Sequence, residues 1–324
     1  PSFAVVAYLP EWRYHSANYD NLCNYTTHLL FFSVEPNGEG DIVGMDRFPD
    51  PGVLMDARQA AETYGCKLMI CLGGNGRSSG FSKAVSSEKS RKHFVKNIAK
   101  MIKRYRFDGV DINWEYPGYA FGRGYGPEVE IKNDYAGLIE TLSLLRKRLG
   151  PEKTISLAYY PDARQEKMLL DGGAEQHINF MHMMTYDQSS GHHSTMELAT
   201  KSVAQALDTG LSAKVLTLGL PFYGRHSATG DWTTYEDIVQ KAHPLPKDVD
   251  HALKDHRGFV GFNGAATITK KLKHAIEEHL GGVMIWEAGQ DCRQNSVNRY
   301  GTEHGVTCPE GKESSLLFAM SQVL

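Results

Sequence analysis

The chain has 324 residues, 41% hydrophobic and 23% charged, with 32 Gly and five Cys, a globular composition that excludes a disordered, collagen-like or disulfide-scaffold chain. Lys and Arg number 35 against 38 Asp and Glu, a net charge of −3 with no long block of one sign, so neither nucleic acid nor an anionic membrane surface is an expected partner. No apolar run reaches the ~20 residues of a bilayer span, and a prior of ~150 residues per domain leaves one domain or two open.

Apolar, β-rich runs fall at residues 3–9, 27–34, 67–72, 107–115, 154–160, 178–186, 214–223 and 282–286. They are near-continuously apolar, as parallel strands covered on both faces are, and all but one of the intervals between them can hold a helix. The clearest helix starts from Ser86 or Ser87 as N-cap, with Glu88 in the first turn, and runs to Tyr105 with Phe94, Ile98, Met101 and Ile102 on one face. Helical patterns at 138–149, 196–207 and 268–280 each end at Gly just ahead of a strand. This alternation predicts an α/β fold, a single-domain (β/α)8 TIM barrel over residues 1–324. A turn-rich stretch at 226–264, with one weak helix near 235–242, reads as a short insertion between strands 7 and 8.

Functional residues of such a barrel lie at the C-terminal ends of its strands. The fourth predicted strand runs Asp108-Gly109-Val110-Asp111-Ile112-Asn113-Trp114-Glu115-Tyr116. Side chains alternate along a strand, so Asp111, Asn113 and Glu115 share one face at ~6.6–7 Å spacing, opposite Ile112 and Trp114. Acids and an amide on the inner face of an apolar strand cost too much to be incidental. Met184-Thr185-Tyr186-Asp187 ends the sixth strand and Trp286-Glu287 the eighth. A carboxyl at Asp187 close to Glu115 would raise the Glu115 pKa and make it an acid at working pH. Trp286, and Trp12 after the first strand, could each floor a sugar ring or serve as a core aromatic.

These motifs resemble glycoside hydrolase family 18, the chitinase family, whose signature Asp-Gly-x-Asp-x-Asp-x-Glu is similar to residues Asp108 to Glu115 here. Tyr8 and Trp12, the Gly73-Gly74 pair, the Met184 to Asp187 run, Tyr223-Gly224-Arg225 and Trp286-Glu287 match further family motifs in family order. The resemblance covers nearly the whole chain and implies the same barrel. It implies a glycosidase acting on β-1,4 bonds between N-acetylglucosamine units, in chitin or its oligosaccharides, with the substrate's own 2-acetamido oxygen as nucleophile. By the same resemblance Glu115 is the acid and base, assisted by Asp108, Asp111, Asn113, Tyr186 and Asp187. Tyr8, Trp12, Gly74, Tyr116, Met184, Tyr223, Arg225 and Trp286 would bind substrate. Competing expectations are a chitin-oligosaccharide lectin and an endo-β-N-acetylglucosaminidase.

The sequence departs from the family pattern at Asn113, where the third Asp is replaced. An amide keeps a hydrogen-bonding oxygen and loses the charge, an expected loss of about 1–3 kcal/mol in transition-state binding, or roughly 10- to 100-fold in rate. Removing that charge also lowers the Glu115 pKa. Glycosidases of another family that act on 2-acetamido sugars use Asn at this spacing, so the residue does not make the protein inert. Cys71 replaces a Ser before Gly73-Gly74, altering the support behind Asp108 or Asp111. Asn75 and Gln188 stand where Trp is common, which predicts fewer stacking platforms and weaker hold on long chains. The stretch after Arg225 lacks the α+β module of many relatives and predicts an open cleft.

No cofactor is expected, and no metal: His192-His193, His177 and His182 come without Cys or carboxylate spacing to complete a site. Cys292 with Cys308 and Cys23 with Cys66 are the candidate disulfides, leaving Cys71 free. With the sequon Asn24-Tyr25-Thr26, and a start at Pro1 that fits a processed chain as well as a shortened one, they give a secreted monomer as the expectation.

Overall fold

A strand that is apolar on both faces must be covered on both, and each of the eight predicted runs forms such a strand. The computed structural model describes residues 3–189, 191–294, 296–297 and 303–324. The strands are β1 (Ala4–Pro10), β2 (His28–Pro36), β3 (Lys67–Gly73), β4 (Gly109–Asn113), β5 (Thr154–Tyr159), β6 (Phe180–Met183), β7 (Leu216–Pro221) and β8 (Gly282–Trp286). Each pairs in parallel with the next in chain order. Pairing of Ala4 with Gly282 through Ala7 with Ile285 joins β8 to β1 and closes the barrel.

A helix follows every strand: α1 (Tyr19–Tyr25), α2 (Pro51–Tyr64), α3 (Glu88–Tyr105), α4 (Glu128–Leu149), α5 (Arg164–Asp171), α6 (Met196–Thr209), α7 (Ala265–Glu277) and α8 (Leu316–Ser321). The expectation that one interval lacks a helix is therefore corrected; short helices fit even the tight connections. α3 starts as its pattern predicts, with Ser87 accepting from the Ser90 N–H at 3.2 Å in a capping box. α4 starts at Glu128 rather than near 138, because its first turns are mostly polar and interrupt the apolar periodicity.

Alternation along the strands builds two apolar layers. Leu29, Phe31, Leu68, Ile70, Val110 and Ile112 pack outward against the helices, and Val6, Tyr8, Leu30, Phe32, Met69 and Met284 pack inward. Each such large side chain contributes about 1.5–3 kcal/mol by leaving water. The Cys23–Cys66 disulfide ties α1 to the entry of β3, and Cys292–Cys308 ties the exit of β8 to the segment before α8. Cys71 is free and buried inside the barrel.

The stretch at 226–264 is more ordered than its turn-rich composition suggests. Strands Tyr223–His226, Trp232–Thr234, His251–Ala252 and Val260–Gly261 form a four-stranded antiparallel sheet, and a helix spans Tyr235–Lys241.

Candidate active site

At the C-terminal mouth of the barrel lies a cavity of about 340 Å³ lined by Tyr8, Asn75, Asn113, Glu115, Tyr116, Tyr119, Phe121, Ala158, Tyr160, Met184, Tyr186, Asp187, Trp232, Met284 and Trp286. The predicted polar file enters it from below. Asp111 is fully buried at the base, its two oxygens accepting from Tyr8 Oη at 2.8 Å and Ser156 Oγ at 2.7 Å. The Cys71 thiol donates to the same carboxyl, since β3 and β4 pair Cys71 with Asp111. The altered support therefore acts on Asp111 and not on Asp108.

Asn113 comes next. Its amide donates to the Glu115 carboxyl, while its Oδ1, buried, has no hydrogen-bond partner. Glu115 is half-buried, its own N–H donating to Ser78 Oγ at 3.0 Å. Burial, opposed by the donated bonds from Asn113 and the Asn75 backbone and assisted by the negative charge of Asp187, pushes the Glu115 carboxyl up to about 7. On the other strand face Trp114 stacks on Phe81 with centroids 5.1 Å apart, which locks the file's direction.

Asp187 approaches from the end of β6 with φ at 64°, a left-handed backbone. Tyr223 Oη at 2.8 Å and Arg225 Nη1 at 3.1 Å both donate to its Oδ1. Burial raises its pKa against those two partners. The Tyr186 hydroxyl donates only to Met284 Sδ, at 3.6 Å, a weak acceptor that leaves it free to turn to a better one. Trp286 leans on Tyr8 at 5.5 Å and crosses Phe32 edge to face at 4.8 Å, and it lines the cavity.

Several predicted residues stand elsewhere. Asp108 lies ahead of β4, at the opposite end of the strand from the cavity, accepting from the Leu68 N–H at 2.8 Å and Arg58 Nη1 at 3.3 Å; it joins strands and does not reach the site. Trp12 is 57% exposed on a single turn spanning Glu11–Arg13 and is not in the cavity wall. Gly73 and Gly74 are required by the backbone: at φ 101° and 107°, an added Cβ would fall 2.3 Å from the Asn113 carbonyl oxygen and 2.3 Å from the Phe32 ring respectively. Tyr223 and Arg225 sit behind the cavity and hold Asp187. Tyr8, Tyr116, Met184, Tyr186, Asp187 and Trp286 do converge with Asn113 and Glu115 on its wall.

Sequence reasoning missed an aromatic wall. A hairpin pairing Tyr119–Ala120 with Gly124–Tyr125 follows β4, and Tyr116, Tyr119, Phe121 and Tyr160 form contiguous ring contacts along it. From the antiparallel sheet, Trp232 stacks on Tyr223 with centroids 4.3 Å apart and meets the cavity from a second direction. Aromatic side chains thus line the cavity from segments other than those of Asn75 and Gln188. Their signal was present as four aromatics among Gly residues between 116 and 125, directly after the candidate acid.

His192 and His193 turn to the carbonyls of Phe262 and Tyr223. Among the described residues no group of three or more His, Cys, Asp or Glu side chains could hold a metal ion, and no helix is long and apolar enough to cross a membrane.

The model of the glycosyl hydrolases family 18 matches residues 4–291. Mouse chitotriosidase-1 is 26% identical over 87% of this chain and 72% of its own length. Chitinase 2 of Yersinia entomophaga is 28% identical over 74% of this chain, which spans only 48% of that longer protein. Among solved structures, an E2180L mutant of catalytic domain 2 of the Ostrinia furnacalis Group II chitinase, in complex with a chito-oligosaccharide, superposes with a TM-score of 0.77 at 20% identity, covering 99% of this chain and 96% of that one.

Proposed function

The chain belongs to the glycosyl hydrolases family 18, and on that premise we propose that it hydrolyses β-1,4 bonds between N-acetylglucosamine units by substrate-assisted retention. The observation that carries the proposal is Glu115, held at an aromatic cavity with its carboxyl pushed up to about 7, protonated where a leaving oxygen needs a proton.

Glu115 gives its proton to the glycosidic oxygen as that bond breaks. The carbonyl oxygen of the substrate's 2-acetamido group attacks the anomeric carbon and closes an oxazolinium ring, so no protein nucleophile is required. Water then attacks the same carbon, giving its proton to the Glu115 carboxylate and reopening the ring. The buried, unpartnered Oδ1 of Asn113 is the acceptor for the acetamido N–H, and the Tyr186 hydroxyl turns from Met284 to the acetamido oxygen. Trp286 floors the ring being cleaved. Asp187, fixed by Tyr223 and Arg225, keeps Glu115 protonated between turnovers and Asp111 anchors the base of the file. The chito-oligosaccharide bound to the Ostrinia relative supports the substrate class. Two disulfides support a secreted enzyme; a monomer acting on an uncharged polymer completes the proposal.

The test pairs mass spectrometry of products from chito-oligosaccharides with Glu115→Gln. Removing a general acid is expected to lower kcat by about 10²–10⁴-fold while oligosaccharide binding persists. Tight binding with no cleavage by the parent would sink the hydrolase reading in favour of a lectin, and cleavage of a high-mannose glycopeptide alone would move the substrate to N-glycan cores.

A further inference from the structure

We propose that His193 is a positioning residue for the acid: it fixes the backbone at Asp187 so that the Asp187 carboxylate faces Glu115. The inference rests on the reading of Glu115 as the proton donor. His193 is 1% exposed, and both ring nitrogens are engaged. Nε2 meets the Tyr223 carbonyl at 3.1 Å and Nδ1 accepts the Asp187 N–H at 3.4 Å. A carbonyl on one side and an N–H on the other require the neutral tautomer with hydrogen on Nε2. The imidazole also lies against the Tyr223 ring at 4.7 Å, and the His193 carbonyl accepts the Gln188 N–H at 3.0 Å, closing the loop between them.

This anchorage falls where the chain needs it. Asp187 is a non-Gly residue at φ 64°, a left-handed backbone uncommon outside Gly, Asn and Asp that the surrounding contacts hold in place. Tyr223 and Arg225 hold its carboxylate; His193 is the side chain that holds its backbone. The next residue, Ser194, is fastened in turn by the buried Lys271, whose Nζ donates to Ser194 Oγ at 2.7 Å, the Ser194 carbonyl at 3.0 Å and Asn263 Oδ1 at 2.7 Å. Asp187, His193 and Ser194 are thus tied to the strand at Tyr223 and to α7.

The charged and titratable groups facing His193 are Asp187 and His192 on its own loop, Tyr223 and Arg225 on the exit strand of β7, and Lys271 on α7. Those facing Asp187 are Glu115 and Tyr116 after β4, Tyr160 after β5, Tyr186, Tyr223 and Arg225. Burial holds the His193 imidazole down to about 3, so it is uncharged at working pH. Replacing it removes no charge, and any change in Glu115 ionisation reports movement of Asp187.

Three variants separate the two ring contacts. His193→Asn puts an amide oxygen near Nδ1 and can still accept the Asp187 N–H. His193→Gln reaches the Tyr223 carbonyl and gives up the Asp187 N–H, and His193→Ala gives up both. We expect the alkaline limb of kcat/KM on a fluorogenic chitobioside to fall by roughly half a pH unit in the Gln and Ala variants and to stay at the parental position in the Asn variant. In an Asp187→Asn background the Gln variant should add no further shift. A ¹³C titration of the Glu115 carboxyl should move in parallel and reads the positioning claim even if the parent hydrolyses no chito-oligosaccharide, an outcome that would count against the proposed function instead. Identical limbs and titrations in the Asn and Gln variants would overturn the inference, whether or not the Ala variant folds.

Discussion

Asn113 and Glu115 show how a single amide changes the demands on its neighbours. Without a carboxylate at 113, the Glu115 carboxyl is raised by burial and by Asp187 alone, against the bond Asn113 donates to it. The alkaline limb of kcat/KM should therefore lie near pH 7, activity falling as pH rises through the Glu115 pKa because the acid loses its proton. Asn113→Asp adds a negative charge beside Glu115, so its limb should move to higher pH. The same change should raise the rate roughly 10- to 100-fold by restoring a charge-assisted contact to the oxazolinium, about 1–3 kcal/mol. Both are read from one pH–rate series on a fluorogenic chitobioside, and a superimposable profile for the two proteins would refute the electrostatic argument.

The hairpin at 119–125 acts as a fixed wall at the level of the element. Tyr125 is bonded to Asp162 and Gln165 and lies under Arg164, whose guanidinium is 4.9 Å from the ring, so the strand after β4 is fastened to the loop after β5 and the first turn of α5. Phe121, 52% exposed, is presented by that wall to the cavity. Phe121→Ala should raise KM for chito-oligosaccharides several-fold, a stacking loss of about 0.5–1.5 kcal/mol, with kcat on a short fluorogenic substrate little changed. Steady-state kinetics on the pentamer and the chitobioside separate these outcomes; equal losses on both would show that Phe121 shapes the acid instead of holding sugar.

For the whole molecule, charge and shape point the same way. A net charge of −3 spread without blocks suits an uncharged polymer, recognised by aromatic faces and hydrogen bonds. The half-exposed aromatics Phe121 and Trp232 bound a cavity of about 340 Å³. Soluble chito-oligosaccharides are expected to be turned over faster than crystalline chitin, measured as reducing ends released per enzyme; equal rates would contradict this.

The sequence by itself determined the barrel, because eight strands apolar on both faces can be covered in few ways, and their apolar runs and Gly stops are local signals. It also determined the file of Asp111, Asn113 and Glu115, since a period of two is a property of one strand. Only the tertiary structure decided what those residues meet. Asp108 and Asp111 look equivalent in the motif, yet Asp108 stands ahead of β4 and bonds the Leu68 N–H, while Asp111 is buried within the barrel beneath the cavity. Tyr223 and Arg225 donate to Asp187, a contact made across 36 and 38 positions of chain that no local pattern announces. The Trp232 and Phe121 walls, and the His193 bond to Asp187, likewise depend on how loops from different strands close over one mouth. Such contacts leave no periodicity in the sequence, because they arise between segments whose spacing along the chain bears no fixed relation to their distance in space.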